Sequence, residues 1–457
     1  VPSRTSSALR TAVLADSDTR WKWGALTARR LAPDARIDGM LLRGRATPTP
    51  RQLAEVGVSV DSLTETTGAR FVRAVADRGR YDLVVLACVG GAVQAMLHGM
   101  AHATGPNAPG AAGSSGVRRP VVATGYVGVV YEKLADGLLL RHGADLVLAN
   151  SRYDAERFRE VYTGAGADAS SVTECALPFL DGEAGRQGAD APAAGPRPFT
   201  VVFAAQPSVP VSRADRMYLL RRAAGHARAH PDREVLVKLR SRPGEHTTHI
   251  EEQPYQRLAE RIPGGLPANC RLVYGHMGEI LDRSDLLVTV SSTAALESLH
   301  RGVPTAVLTD LGIREVLGNH HFLGSGCLVS WDQLDAGTLP EADPAWTARQ
   351  GVGPWPEGTG YADAFDPARE RVAALAGQER LPPLAPYYTP VTAPGYLPGI
   401  LGRYGFGPHG EPLATVAETD ESGLRRVVRG AVRDAARGAY RHGVQRVAPV
   451  IRRMGQL

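Results

Sequence analysis

Residues 285–310, DLLVTVSSTAALESLHRGVPTAVLTD, carry the side chains best suited to chemistry. An apolar run ends in Ser291-Ser292-Thr293, three hydroxyls where a helix is expected to begin. Backbone N–H groups at a helix start lack partners within the helix, so together with three hydroxyls they suit an anion such as a phosphate. Glu297 follows Thr293 by four residues, one turn inward on the same face. A carboxylate there can accept hydrogen bonds from a ribose. The same spacing also describes an ordinary capped helix, since Ser and Thr are common caps.

Other groups stand where a ligand could meet them. Lys238 and Arg240 close the apolar run 234–239, and cations at the carboxyl end of a strand can neutralise a diphosphate or a donor carboxylate. Glu245, His246 and His249 form EHxxH rather than the zinc-binding HExxH, and Pro243-Gly244 argues for a loop. A phosphate or acceptor contact by His249 is the better expectation, and no metal site is expected. Asp16-Ser17-Asp18 follows the first apolar run. No GxGxxG follows any of the strand-like runs, and there is no GxxxxGK[ST] and no GxSxG, which weighs against a dehydrogenase, a P-loop NTPase and an α/β-hydrolase.

The pattern over 271–310 resembles the donor-binding element of GT-B glycosyltransferases, in which D-hydrophobic-SSxxxxE-xxxxGxP binds the phosphates and ribose of a nucleotide sugar. The chain is similar to the uncharacterised glycosyltransferases of high-G+C bacteria, and more distantly to capsule and teichoic-acid transferases. The resemblance implies a metal-independent transferase with no cofactor beyond its nucleotide-sugar substrate, held by Ser291, Ser292, Thr293, Glu297, Lys238 and Arg240. It places His276, in the loop after 272–274, near the nucleobase, and Gln206-Pro207 near a phosphate or the acceptor. It also puts the first β–α loop beside a cell-surface glycan or lipid-linked acceptor. Group transfer needs a base to deprotonate the acceptor hydroxyl. Asp18 or Asp16 is expected in that role, with His98 and His102 as rivals. A nucleotide-sugar epimerase and a non-catalytic nucleotide- or glycan-binding protein are the alternatives.

The elements that must position these residues form two similar series. Apolar runs at 11–15, 37–42, 82–88, 120–123 and 145–149 read as strands, alternating with helices at 22–31, 66–78 and 151–162. After a Pro/Gly/Ala-rich linker at 181–198 the alternation restarts. Strands are expected at 199–204, 234–239, 272–274, 285–290 and 304–308, with helices at 214–230 and 293–300. Strand–helix alternation predicts doubly wound parallel sheets. The expected fold is α/β, two Rossmann-like domains facing a central cleft, at 1–180 and 199–335. A Pro/Gly-rich extension at 336–421 and a basic amphipathic helix at 422–457 follow.

Charge is unevenly spread. Of 52 basic residues only Lys22, Lys133 and Lys238 are lysine, and the arginine excess of the body is attributed to codon bias. From Gly423 onward nine Arg face one acid, Asp434, a net of +8 within a chain of +5, so the preceding residues carry −3. Leu424, Val427, Val428, Ala431, Val432 and Ala435 recur at helical spacing, with Arg on the other face from Arg425 to Arg453. Such a helix suits an anionic membrane surface or packing within the protein. Nucleic acid is not an expected partner. The four cysteines form no CxxC pair and read as buried thiols of a reducing compartment. These features together predict a cytoplasmic chain, peripheral at the inner face of the plasma membrane.

Overall fold

The computed structural model describes residues 9–44, 46–77, 79–105, 119–129, 134–180, 197–242, 245 and 251–413. Two compact units are present. The first runs to Phe179 and is joined by Arg349–Gly351 and the described residues from Trp355 on. The second comprises Leu180–Ala348 and Val352–Pro354 among the described residues.

The first unit holds a seven-stranded sheet in the order β3-β2-β1-β4-β5-β6-β7. Its strands are β1 Arg10–Ala15, β2 Arg36–Leu42, β3 Ser62–Thr66, β4 Leu83–Ala87, β5 Val121–Gly125, β6 Leu146–Ala149 and β7 Val172–Glu174. Every pairing is parallel. The central strands are largely apolar, as strands covered on both faces are, and β4 (LVVLA) is buried along its whole length. The polar edge strand β3 (SLTET), half exposed, was not expected from its sequence.

The second unit holds a six-stranded sheet in the order β10-β9-β8-β11-β12-β13, again all parallel. Its strands are β8 Phe199–Ala204, β9 Arg233–Lys238, β10 Cys270–Val273, β11 Leu286–Thr289, β12 Thr305–Leu308 and β13 Leu328–Val329. Two parallel-sheet α/β units are therefore present, as the alternation predicts. In each sheet the strand order reverses between the first and fourth strands of the unit, β1/β4 and β8/β11. The crevice outside the carboxyl ends of such a pair is where ligands bind in open α/β sheets.

The stretch expected as an extension is divided between the units. The helix Pro344–Arg349 lies mainly in the second, whereas the helices Asp366–Ala376 and Leu397–Arg403 belong to the first. Leu384, Leu397, Leu401 and Phe406 complete the first unit's core. Gly99 makes room for this return, since a Cβ there would lie 2.8 Å from the Phe406 ring. Arg119 fixes it: the guanidinium pairs with both oxygens of Asp145 (2.7 and 2.8 Å) and donates to the Pro382 carbonyl. The basic helix expected at 422–457 lies outside the described residues.

Candidate functional site

In the second unit the residues singled out by sequence gather at the β8/β11 reversal. Ser291 stands two residues past β11 and is 1% exposed. Its hydroxyl donates to the Leu317 carbonyl at 2.5 Å and accepts from Gln206 Nε2 at 3.2 Å, while its N–H donates to Gln206 Oε1 at 2.9 Å. The Ser291 hydroxyl is thus engaged with Leu317 and Gln206, and the Gln206 amide with Ser291.

Ser292 and Thr293 remain half-buried at the surface of this turn. Ser292 N–H donates to Thr289 Oγ1, and Ser292 Oγ accepts from the N–H of Ala294, the first residue of the helix Ala294–His300, at 3.2 Å. Glu297 lies one turn inward and is only 6% exposed. Burying a carboxylate is costly unless it is paired, which marks the position as more than a solvated helix face.

Sequence reasoning missed Arg301. It is buried, with Nε donating to Asp282 at 3.0 Å and Nη1 donating to the Glu297 carbonyl at 3.0 Å. It thereby ties the helix Met277–Leu281 to the helix bearing Glu297. Gly278 sits between them: a Cβ there would lie 2.9 Å from Arg301 Nη2 and 3.1 Å from His276 Cε1. His276 is the N-cap residue of Met277–Leu281, following Gly275 at φ 113°, a conformation open mainly to glycine. Lys238 ends β9 and is buried, its Nζ donating to the Leu239 carbonyl at 2.8 Å; Arg240 follows, half-buried. His249 lies outside the described residues, as does His246.

A second buried arginine was also missed. Arg216, on the helix Arg213–Ala229, is 1% exposed and donates through Nη1 to the carbonyls of Gln206, Pro207 and Pro210 at 2.9, 3.0 and 3.3 Å. Nη2 pairs with Glu251 at 2.6 Å, and the guanidinium lies 4.3 Å from the Tyr255 ring centroid. No local sequence pattern marks either arginine, because the carboxylates they pair with, Asp282 for Arg301 and Glu251 for Arg216, lie 19 and 35 residues away.

The first unit presents a related corner at β1/β4. Asp16 accepts from Arg20 at 3.0 Å through one oxygen and from Val89 N–H at 2.9 Å through the other. Both oxygens are thus engaged in holding the corner together. Asp18, half-buried, opens the helix Asp18–Leu31, with Ser17 as its N-cap residue. His98 is buried in mid-helix with Nε2 2.9 Å from the Tyr388 carbonyl, and burial lowers its pKa, as suits a core histidine. His102 lies on the same helix, Gly90–Thr104, one turn further on. Asp154, unnoticed in the sequence, is a buried carboxyl just past β6, and burial pushes its pKa up to about 6.

Among the described residues one group, His226, His230 and Asp335, brings ligand atoms within 4.8 Å of one another. Its members are already committed: His226 Nδ1 meets Asp335 at 2.6 Å, Arg233 approaches His226 Nε2 at 3.2 Å, and Arg222 pairs with Asp335 at 3.0 Å. Two guanidinium groups beside the cluster disfavour a further cation. It also lies at the opposite end of the helix Arg213–Ala229 from the crevice.

Residues 11–365 match the model of a protein family described as "Putative glycosyltransferase (DUF6716)". The chain belongs to that family. No curated protein matches the sequence. Among solved structures, this family member is similar to a UDP-N-acetylglucosamine 2-epimerase of Neisseria meningitidis bound to UDP-GlcNAc (10% identity, TM-score 0.44, covering 80% of this chain and 100% of that one). It is also similar to a UDP-glucosyltransferase of Polygonum tinctorium (12%, 0.48, 80% and 99%) and to the wall teichoic acid polymerase TagF (11%, 0.42, 80% and 88%).

Proposed function

We propose that this glycosyltransferase takes its sugar from a nucleotide-activated donor bound by the second unit. One observation carries the reading. Ser292, Thr293 and the buried Glu297 stand together at the strand-order reversal, with the buried Lys238 ending the neighbouring strand β9. The hydroxyls of Ser292 and Thr293 would hold the phosphates, Glu297 the ribose, and the His276 loop the base. Lys238 and Arg240 would offset the diphosphate charge as the leaving group departs, the point at which fixed cations contribute most to group transfer.

The acceptor is assigned to the first unit, with Asp18 as the base. Asp16, at the same corner, is the second candidate. The reading needs no metal. A cell-surface glycan or a lipid-linked, teichoic-acid-like polymer is the acceptor class proposed. The basic amphipathic segment from Arg425 to Arg453 would bring the enzyme to an anionic membrane surface. No helix among the described residues is long and apolar enough to cross a membrane.

A thermal-shift screen with CMP, CDP, UDP, GDP and TDP tests the donor site. One or more diphosphates should stabilise the parent chain, and Glu297→Ala and Ser292→Ala should each lose most of that stabilisation. Unchanged binding in both variants would show the assignment to be wrong. Conversion of the donor alone into a new sugar isomer would replace transfer by epimerisation.

A further inference from the structure

We infer that Gln206 is a positioning residue of the donor site, set directly behind the phosphate-binding turn and required there to be neutral. The inference rests on the donor-site reading above. β8 and β11 are neighbouring parallel strands, with Ala204 opposite Thr289. Two residues beyond each, Gln206 and Ser291 face one another across the reversal. The amide works from both ends, its oxygen accepting from Ser291 N–H and its nitrogen donating to Ser291 Oγ. A carboxylate can make the first bond but not the second; an apolar side chain makes neither.

The amide is itself held in place. Arg216 gathers the carbonyls of Gln206, Pro207 and Pro210 on a single nitrogen, and its second terminal nitrogen is tied to Glu251. The loop backbone is therefore clamped from below by a buried guanidinium, while the Gln206 side chain extends across to Ser291. Ser291 in turn donates to Leu317. The chain of contacts runs from Glu251 through Arg216, Gln206 and Ser291 to Leu317, and Ser292 and Thr293 are the next residues along from its fixed point. Gln206 sets where the phosphates sit without touching them. Its neutrality matters because Glu, the nearest isostere, would put a negative charge behind a site for a diphosphate.

The experiment compares two ligands on one protein: the nucleoside diphosphate of the five that binds the parent best, and its uncharged nucleoside. Affinities are measured by calorimetry for the full chain and for Gln206→Ala, Gln206→Glu and Gln206→Lys. Gln206→Ala should weaken the diphosphate several-fold more than the nucleoside, which has no phosphates for the turn to place. Gln206→Glu should weaken the diphosphate about tenfold more than the nucleoside. Gln206→Lys should shift the diphosphate-to-nucleoside ratio in the opposite direction, so the sign of the effect remains readable if one charged variant does not fold. A purely structural role would move both ligands together in every variant, and that result would overturn the inference while leaving the donor site intact. If the parent binds no diphosphate, or Glu297→Ala binds it as well as the parent, the donor-site reading fails and takes this inference with it.

Discussion

Asp154→Asn is expected to stabilise the protein, by an amount that depends on pH in a calculable way. Burial raises the Asp154 pKa from its ordinary 3.8 to about 6, against smaller lowering effects from Arg157 and the Ser151 hydroxyl. The folded protein therefore holds this proton more tightly than the unfolded chain, and stability declines as pH rises through the interval between the two values. The destabilisation is absent well below 3.8 and complete above about 6.5. A difference of about two pKa units at 1.36 kcal/mol per unit corresponds to about 3 kcal/mol at pH 7.5, falling to about 1 kcal/mol at pH 4.5. Asn keeps the shape and removes the ionisation. Urea unfolding of parent and variant at the two pH values measures the difference directly. A gain equal at both pH values, or a loss at pH 7.5, would refute burial of an ionised carboxylate as the cause.

Two further substitutions test the packing around the site and the core. Gly278→Ala should lose about 1–2 kcal/mol in chemical denaturation and weaken nucleotide binding, because the new Cβ meets Arg301, which Asp282 and the Glu297 carbonyl hold in place. A more stable variant, as helix propensity alone would give, would contradict this. Arg119→Met should cost about 3–5 kcal/mol in the same assay, since it strips Asp145 of a buried bidentate partner and frees the segment at Pro382. A loss below about 1 kcal/mol would show that the return segment is held by its apolar contacts alone.

The fold was legible where burial writes itself into local sequence. Continuous apolar runs such as LVVLA and DLLVTV occur because central parallel strands are covered on both faces, and each of these segments contains an observed strand. The polar edge strand β3 shows no such run, because it is covered far less. The return of residues beyond Trp355 to the first unit was hidden for another reason. Leu397, Ile400 and Leu401 share one face of a short helix interrupted by Pro398, Gly399 and Gly402, while Leu384 and Phe406 pack singly, so the apolar pattern is too brief to betray their burial. At the site, a local motif predicted the neighbourhood of Ser291 through Glu297. It did not predict the division of labour within it, because whether a hydroxyl faces inward depends on partners 26 and 85 residues away.

The divided first unit has a consequence for synthesis. A ribosome releases chain from the amino end, and domains generally fold in that order. Here the second unit's described sheet lies within one continuous stretch, whereas the first unit's core waits for Leu384, Leu397, Leu401 and Phe406. The half of the enzyme made first is thus the half that can be finished only last. Nascent chains stalled before residue 384 should carry a folded second unit beside an unfinished first one. A library of carboxyl-terminal truncations should accordingly show a sharp loss of the first unit's protease resistance between residues 406 and 384.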